Sequence, residues 1–271
     1  MPEQPLQNLI LIRGLTRESA HWGDFVPQLK AAFPNAKLTQ LDLPGAGPYF
    51  RETSPNTVNG ILEKVRAQAL EGGALTEPAT LIAVSLGGMV AWEWLLAYPE
   101  DIAGAVLINI SLGGLSPFYQ RLNWHCYGKL FAAAGNRNIE VREPGLLKLL
   151  SNREDNYQQT AADWIAIQKA RPISAKTALR QLYAAATYQP GDAKPKPPIL
   201  LLNSLGDKLV APQCSEVIAR KWQLELHTHP WGGHDLTLDD SQWVVAELKF
   251  LLDSTPQVSR IPPAAPSPPP R

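Results

Sequence analysis

The sequence contains little cysteine, no excess of charge of either sign and no long apolar run. Only two of its 271 residues are cysteine, Cys126 and Cys214, and they lie far apart and outside any paired-ligand motif. We therefore expect no disulfide framework and interpret both thiols as packed or idle side chains. Lysine plus arginine and aspartate plus glutamate number 25 each. Since a chain without net charge has no field that attracts nucleic acid, we expect a neutral small molecule as partner and no nucleic acid.

Segments that would direct the chain to a membrane or hold a cofactor are also lacking. No apolar stretch reaches the roughly 18 residues that a bilayer-spanning helix needs, so no membrane span is expected. The opening residues MPEQPLQ have neither the basic start nor the apolar core of a signal peptide, and we expect a cytoplasmic protein. No phosphate-binding loop, dinucleotide fingerprint or cluster of metal ligands stands out, so we expect no cofactor and no metal. The sequence does not indicate an oligomeric state.

The sequence does contain a regular alternation of short apolar runs with segments of helical periodicity. Continuous apolar runs of this length are typical of parallel strands buried on both faces. Their alternation with helices predicts an α/β domain whose parallel sheet is covered on both sides. The predicted strands cover 8–14, 36–43, 79–84, 102–110, 198–203 and 223–227, and the predicted helices cover 20–33, 56–70, 86–98, 212–222 and 241–252.

The alternation is interrupted between residues 115 and 189. No comparable strand is recognisable there, and the segments with helical spacing are 118–134, 145–150, 157–170 and 174–186. We interpret 115–189 as a helical cap, or lid, inserted into a core formed by 1–114 and 190–253, and expect it to rest on one edge of the sheet. Seven of the last eighteen residues are proline, so 254–271 is predicted to be disordered or extended.

The most informative stretch is Ala79–Met89, in which an apolar run ends at Ser85 and two glycines follow. This order predicts a buried strand, a sharp turn and the start of a helix. Such a turn lifts a serine hydroxyl above the sheet, and small neighbours let two backbones approach closely, so Ser85 is the candidate nucleophile. Ala83 replaces the first glycine of the usual Gly-x-Ser-x-Gly pattern. The alternative is an ordinary helix capped by a serine.

A serine nucleophile needs a base to remove its proton and an acid to orient that base. Asp207 follows the predicted strand 198–203, where catalytic groups of open α/β sheets gather, although a turn or capping role ahead of Pro212 is the alternative. His234 lies in a glycine-rich loop between the last predicted strand and helix. We therefore assign Asp207 as the candidate acid and His234 as the candidate base. The other histidines, in predicted helices or at a strand end, are His21, His125, His227 and His229.

Acyl transfer also needs preorganised backbone donors at the place where negative charge develops. The N–H of Leu86, which directly follows Ser85, is one candidate. The N–H of Leu15, in the loop after the first predicted strand, is the other. These two groups form the predicted oxyanion hole.

Several local patterns occur in the order that the α/β-hydrolase superfamily requires. They are Arg13-Gly14, Asp42 to Gly47, Ala83 to Gly87, Gly206-Asp207 with Val210 and Pro212, and Gly233-His234. On these residues the chain resembles the α/β-hydrolase superfamily over 8–252. The resemblance implies an α/β-hydrolase fold, a mostly parallel, twisted sheet of eight strands. The first predicted strand corresponds to the third of these eight, so we expect strands to be missing at one edge of the sheet.

Arg13 departs from the superfamily pattern, which usually has histidine before the glycine of this loop. A guanidinium at the mouth of the site could bind a substrate carboxylate or pair with an acidic neighbour. We favour the pairing.

These residues favour a serine hydrolase that cleaves small or medium apolar carboxylic esters, a carboxylesterase, with a small-molecule ester as its partner. Aromatic residues of the predicted cap suggest an apolar pocket: Phe118, Tyr119, Trp124, Tyr127 and Trp164. The same triad would serve a thioester, amide or carbon–carbon bond hydrolase or an acyltransferase. A ligand-binding protein on a hydrolase scaffold is a further alternative, against which the complete Ser-Asp-His set argues.

Overall fold

The fold is built on a six-stranded sheet whose neighbouring strands are all parallel. A computed structural model of the chain describes residues 7–136 and 138–254. The strands are β1 (Asn8–Ile12), β2 (Lys37–Leu41), β3 (Ala79–Val84), β4 (Ile102–Ile108), β5 (Ile199–Ser204) and β6 (Glu225–His229), in the spatial order β2-β1-β3-β4-β5-β6. The predicted parallel sheet is confirmed. The resemblance implied eight strands, and within the described residues there are six.

Helices connect the strands and cover the sheet. The α-helices are α1 (Phe25–Ala32), α2 (Val58–Glu71), α3 (Leu86–Ala97), α4 (Phe118–Arg121), α5 (Tyr127–Gly135), α6 (Ile139–Leu150), α7 (Tyr157–Ala170), α8 (Ala175–Thr187), α9 (Gln213–Trp222), α10 (Leu236–Asp239) and α11 (Ser241–Ser254). Short 3-10 helices are formed by Ser19–Trp22, Gly47–Tyr49, Pro99–Asp101 and Trp124–Cys126. No helix among the described residues is both long and apolar enough to cross a bilayer.

The central strands β1, β3, β4 and β5 each contribute buried side chains to both layers of the core, as the continuous apolar runs predicted. In β1, Ile10 and Ile12 pack in the layer under α2, α3 and α9. Leu9 and Leu11 point the other way and pack in the layer under α1 and α11. Alternate residues of a strand face opposite sides, so a run that is apolar at every position buries both faces of the sheet.

Several boundaries differ from the predicted ones. The predicted helix 20–33 is divided, because Gly23 adopts φ +49 between the 3-10 helix Ser19–Trp22 and α1. The predicted helix 118–134 is likewise divided into α4, a 3-10 helix and α5. Helix α6 begins at Ile139 rather than 145 and accommodates Pro144 in its interior. Strand β6 lies two residues later than 223–227, and α10 was not predicted.

The described residues between β4 and β5 form α4 to α8 and a short 3-10 helix, and none of them forms a strand. We call residues 115–189 the helical insertion. Cys126 lies in this insertion and Cys214 in α9, and both are buried free thiols. Burial raises the pKa of each thiol to about 11. The predicted disordered tail, 254–271, lies outside the described residues except for Ser254.

Close backbone approaches fix the start of α3 against neighbouring loops. A Cβ on Gly14 would lie 3.1 Å from Cβ of Ser85, and a Cβ on Gly87 would lie 2.4 Å from the carbonyl oxygen of Arg13. A Cβ on Gly88 would lie 2.2 Å from a methyl carbon of Ile110. The absence of side chains at these positions therefore brings the β3–α3 turn into contact with the loop after β1 and the loop after β4.

We predict that Gly87→Ala lowers the free energy of unfolding by about 1–3 kcal/mol, since α3 and the loop after β1 must separate to admit the new methyl group. Gly145→Ala in α6 is the matched control, because a Cβ there meets nothing within 4 Å. This control is expected to raise the free energy of unfolding by about 0.5–1 kcal/mol. Urea unfolding measures both changes, and equal effects of the two substitutions would contradict the close approach at Gly87.

Candidate active site

Ser85 occupies the turn between β3 and α3 in a strained backbone conformation. Its φ and ψ are 55° and −120°, outside the regions that non-glycine residues ordinarily adopt. The turn is held by a 2.9 Å hydrogen bond from the Ser85 N–H to the carbonyl of Ile108 at the end of β4. Ser85 is partly exposed and lines a cavity of about 350 Å³. The predicted order of buried strand, sharp turn and helix start is therefore present at Ser85.

Asp207 and His234 come together at the edge of the sheet beside this turn. Nδ1 of His234 lies 2.7 Å from Oδ2 of Asp207, and both side chains are almost fully buried. The other oxygen of Asp207 accepts the N–H groups of Leu209 at 2.7 Å and Val210 at 2.9 Å. The two alternatives for Asp207 are therefore compatible. One oxygen holds the turn, and this leaves the second oxygen aimed at the imidazole.

Ser85 and His234 line the same cavity. Within the described part of the chain, no hydrogen bond joins the Ser85 hydroxyl to the imidazole. Contacts of this kind are often long in a site without substrate and tighten when substrate binds. Of the predicted catalytic residues, the structure joins Asp207 to His234 by a hydrogen bond and brings Ser85 to the same cavity.

Both residues that carry the predicted oxyanion donors line the same cavity as Ser85. Leu86 is the first residue of α3, where an N–H has no acceptor inside the helix. Leu15 follows Gly14, which touches Ser85. Among the described residues neither N–H donates a hydrogen bond, and both residues line the cavity. The N–H of the next residue, Thr16, donates a 3.0 Å hydrogen bond to Oε1 of Gln181 on α8.

The cavity walls are mainly apolar and come from the core and the helical insertion. The apolar lining residues are Leu15, Val84, Leu86, Met89, Phe118, Leu122, Tyr127, Leu130, Leu146, Leu150, Leu182, Ala185, Ala186, Leu209 and Val210. Of the aromatic residues predicted to form the pocket, Phe118 and Tyr127 line it. Tyr119 and Trp124 are exposed, and Trp164 is buried elsewhere, stacked on Arg17. The prediction was therefore wrong for these three. Tyr119 and Trp124 belong to the segment that is divided into short helices, so its helical spacing did not show which residues face inwards. Trp164 is on the undivided α7 and packs beside His21, away from the cavity that Ser85 lines.

Arg13 is engaged with an acidic neighbour, as the favoured interpretation predicted. Its guanidinium binds both carboxylate oxygens of Asp235 and is 3% exposed. Burial would raise the pKa of the Asp235 carboxyl, but the adjacent Arg13 cation and hydrogen bonds from Arg13 and Thr237 outweigh burial and hold that pKa below its usual value. Both terminal nitrogens of Arg13 thus already donate to the carboxylate of Asp235.

Sequence reasoning missed Asn109, which joins three loops behind the candidate base. It follows β4 with a positive φ of 50°. Its amide donates to Oγ of Ser204 at 3.2 Å and to the carbonyl oxygens of Gly233 and His234 at 3.1 and 2.9 Å. An asparagine directly after a buried strand, at the carboxyl edge of a parallel sheet, was the available signal, since asparagine tolerates this backbone conformation.

A second group that sequence reasoning missed connects the loop after β1 to the helical insertion. The Arg17 guanidinium donates to Glu143 on α6 at 2.7 Å and stacks 4.2 Å from the ring centre of Trp164 on α7. His21, predicted as an ordinary helix residue, lies buried beside Arg17 and accepts the Glu18 N–H at 3.1 Å. Glu18 also pairs with Arg171. The charges of this loop are therefore compensated largely from the insertion.

Several known proteins are similar to most of this chain. Residues 9–247 match the sequence model of the alpha/beta hydrolase family. The chain is 26% identical over 272 residues to a pimeloyl-[acyl-carrier protein] methyl ester esterase of Xylella fastidiosa, covering 92% of this chain and 96% of the relative. It is 28% identical over 184 residues to the enzyme of the same name from Edwardsiella ictaluri, covering 68% of this chain but only 60% of the relative.

Solved structures resemble the fold at lower identity. An esterase from Rhodococcus sp. ECU1013 superposes with a TM-score of 0.75 at 17% identity, covering 92% of this chain and 91% of that one. At this identity the likeness shows the fold.

The buried histidine of the loop after β1 predicts a pH dependence of stability. Burial, and then the Arg17 and Arg13 cations, lower the pKa of His21 well below its usual value. The unfolded chain takes up a proton at this side chain near pH 6.5 and the folded chain does not, so stability that is complete above this pH is lost as the pH falls. Below about pH 6, the free energy of unfolding should fall up to about 1.4 kcal/mol per pH unit more steeply than in His21→Gln. Urea unfolding from pH 7.5 to 4.5 measures both slopes, and parallel slopes would contradict the assignment.

Proposed function

Because the chain belongs to the alpha/beta hydrolase family, we propose that it is a serine carboxylesterase that cleaves small to medium apolar esters through an acyl-enzyme. The observation that carries this proposal is the 2.7 Å hydrogen bond between Asp207 and His234 at the wall of the cavity that Ser85 lines. In this proposal Ser85 is the nucleophile, His234 the general base and acid, and Asp207 the residue that orients the imidazole.

The proposed reaction has two halves. Nε2 of His234 takes the hydroxyl proton as Oγ of Ser85 attacks the ester carbonyl carbon, and the protonated ring then gives that proton to the departing alcohol. Water next attacks the acyl carbon of the acyl-enzyme, passes a proton to His234, and the proton returns to Oγ as the acid leaves. The Asp207 carboxylate accepts the Nδ1–H, and in the neutral ring this leaves Nε2 free to accept a proton. Once the imidazolium has formed, the same carboxylate stabilises its positive charge.

Two backbone N–H groups are proposed to stabilise the tetrahedral intermediates. The carbonyl oxygen of the ester becomes negatively charged when Ser85 attacks, and the N–H groups of Leu15 and Leu86 are the candidate donors to it. Loss of one such donor typically raises the barrier by about 2.7–4 kcal/mol. Because these donors belong to the main chain, substitution of the Leu15 or Leu86 side chain does not remove them.

The cavity and the relatives together suggest the substrate class. A cavity of about 350 Å³ with mostly apolar walls accommodates a medium-length acyl chain. The relatives carry the name of a methyl ester esterase, which favours an ester of a small alcohol over a thioester or amide. We further propose that the helical insertion acts as a cap, because α4, α5, α6 and α8 supply much of the apolar wall.

The proposal predicts that a fluorophosphonate probe labels Ser85 and that p-nitrophenyl butyrate gives a burst of nitrophenol. Ser85→Ala should lose the labelling and lower kcat by at least about 10⁴-fold, since the nucleophile acts together with its base. Ser111→Ala is the matched control, because Ser111 also lines the cavity without being assigned a catalytic role. Peptide mapping after labelling identifies the modified residue.

Three outcomes would each contradict a part of the proposal. Labelling at a residue other than Ser85 would overturn the assignment of the nucleophile. Equal ester hydrolysis by the wild type and Ser85→Ala would overturn the covalent mechanism. Faster turnover of acyl thioesters or amides than of matched methyl and ethyl esters would replace the substrate class while leaving the nucleophile intact.

A further inference from the structure

Arg13 lines the cavity, and its guanidinium is restrained both by hydrogen bonds and by an aromatic ring. Nη1 donates to Asp235 at 3.1 Å and to Oγ1 of Thr237 at 3.2 Å, and Nη2 donates to the second carboxylate oxygen of Asp235. The face of the guanidinium lies 4.6 Å from the ring centre of Trp22. A two-point contact between planar groups restrains both distance and angle, so the positions of the loops that carry Arg13 and Asp235 are coupled.

Asp235 extends this coupling to the helical insertion. Its N–H donates to the carbonyl of Leu150, the last residue of α6, at 2.8 Å. Its Oδ1 accepts the Thr237 hydroxyl at 2.8 Å. Asp235 therefore holds the loop after β6 between the loop after β1 and the end of α6.

The neighbours of the two residues give the ion pair its significance. Asp235 directly follows His234, the proposed base. Arg13 lies two residues before Leu15, a proposed oxyanion donor, and directly before Gly14, which touches Ser85. The pair therefore connects the loop of His234, the proposed base, to the loop of Leu15, whose N–H is proposed to stabilise the negative charge.

We infer that Arg13 and Asp235 are positioning residues, whose ion pair sets the distance between the imidazole of His234 and the N–H of Leu15. This inference rests on the proposed function. A displacement of about 1 Å in such an arrangement can cost on the order of 10²-fold in rate. Neither residue needs to touch the substrate for this effect.

A purely structural role makes a different prediction. Replacing a buried ion pair by uncharged side chains of similar size is often neutral for stability, whereas removing one partner is strongly destabilising because a buried charge remains. The double variant Arg13→Met/Asp235→Asn is thus expected to fold. If the pair served stability alone, this variant would keep the wild-type kcat.

The test compares Arg13→Lys, Asp235→Asn and the double variant with the wild type on p-nitrophenyl butyrate. We expect kcat to fall about 10- to 100-fold in Asp235→Asn and in the double variant, with KM changed by less than about threefold. Arg13→Lys keeps the charge but loses the two-point geometry, so we expect an intermediate kcat. Arg66→Met/Asp101→Asn removes a partly buried ion pair between α2 and the Pro99–Asp101 turn, and serves as the matched control with wild-type kcat.

The pH profile of kcat/KM separates positioning from a general loss of structure. Among the described residues, the charged groups near His234 include Asp207, Asp235 and Asp239, with Arg13 paired to Asp235 and Arg17 beyond it. In Asp235→Asn the Arg13 cation lacks its counter-charge and disfavours a proton on the imidazole, so the acidic limb should move to lower pH. In the double variant neither charge is present, so the limb should return towards the wild-type position while kcat stays low.

Wild-type kcat in the folded double variant would overturn the inference, as would a large rise in KM with unchanged kcat, which would make Arg13 a substrate-binding residue. If Asp235→Asn does not fold, the double variant and Arg13→Lys decide the question. Fluorophosphonate labelling of the wild type distinguishes this failure from that of the proposed function. A wild type that is not labelled at Ser85 refutes the proposed function, whereas a labelled wild type with unimpaired variants refutes the positioning role alone.

Discussion

The parallel sheet is the constraint on which the rest of the structure depends. Because all strands point the same way, every loop that follows a strand opens at the same edge. Residues from loops that are distant in sequence therefore meet at this edge. They are Arg13 after β1, Ser85 after β3, Asn109 after β4, Asp207 after β5 and His234 after β6. The helical insertion follows β4 and contributes part of the cavity wall.

Buried charge is the second organising feature of this edge. A cation taken out of water is costly unless it meets a carboxylate with good geometry. Arg13 meets Asp235 in the core, while Arg17 meets Glu143 on α6. The loop after β1 is thus fixed on one side to the loop of the proposed base and on the other to the insertion. Since this loop carries a proposed oxyanion donor, its charge pairs link the packing of the insertion to the chemistry.

Much of the fold and part of the site could be predicted from local patterns. The strands could be predicted because a continuous apolar run indicates burial on both faces of a sheet. The turn at Ser85 could be predicted because the glycines that follow it indicate a close backbone approach. The partner of Arg13 could not be predicted, because Asp235 is 222 residues away and nothing local distinguishes it from other acids. The extent of α6 was missed because Pro144 normally ends a helix, whereas buried Leu147 and Leu149 stabilise it here.

The central claim is that Ser85, His234 and the N–H groups of Leu15 and Leu86 surround one reacting centre. A crystal structure of the protein after reaction with a fluorophosphonate tests it most directly, because the phosphonyl group mimics the tetrahedral intermediate. We expect phosphorus bonded to Oγ of Ser85, one phosphonyl oxygen within about 3.1 Å of both N–H groups, and Nε2 of His234 within hydrogen-bonding distance of Oγ or the leaving-group position. A phosphonyl oxygen that faces away from both N–H groups, with His234 out of reach, would contradict the account.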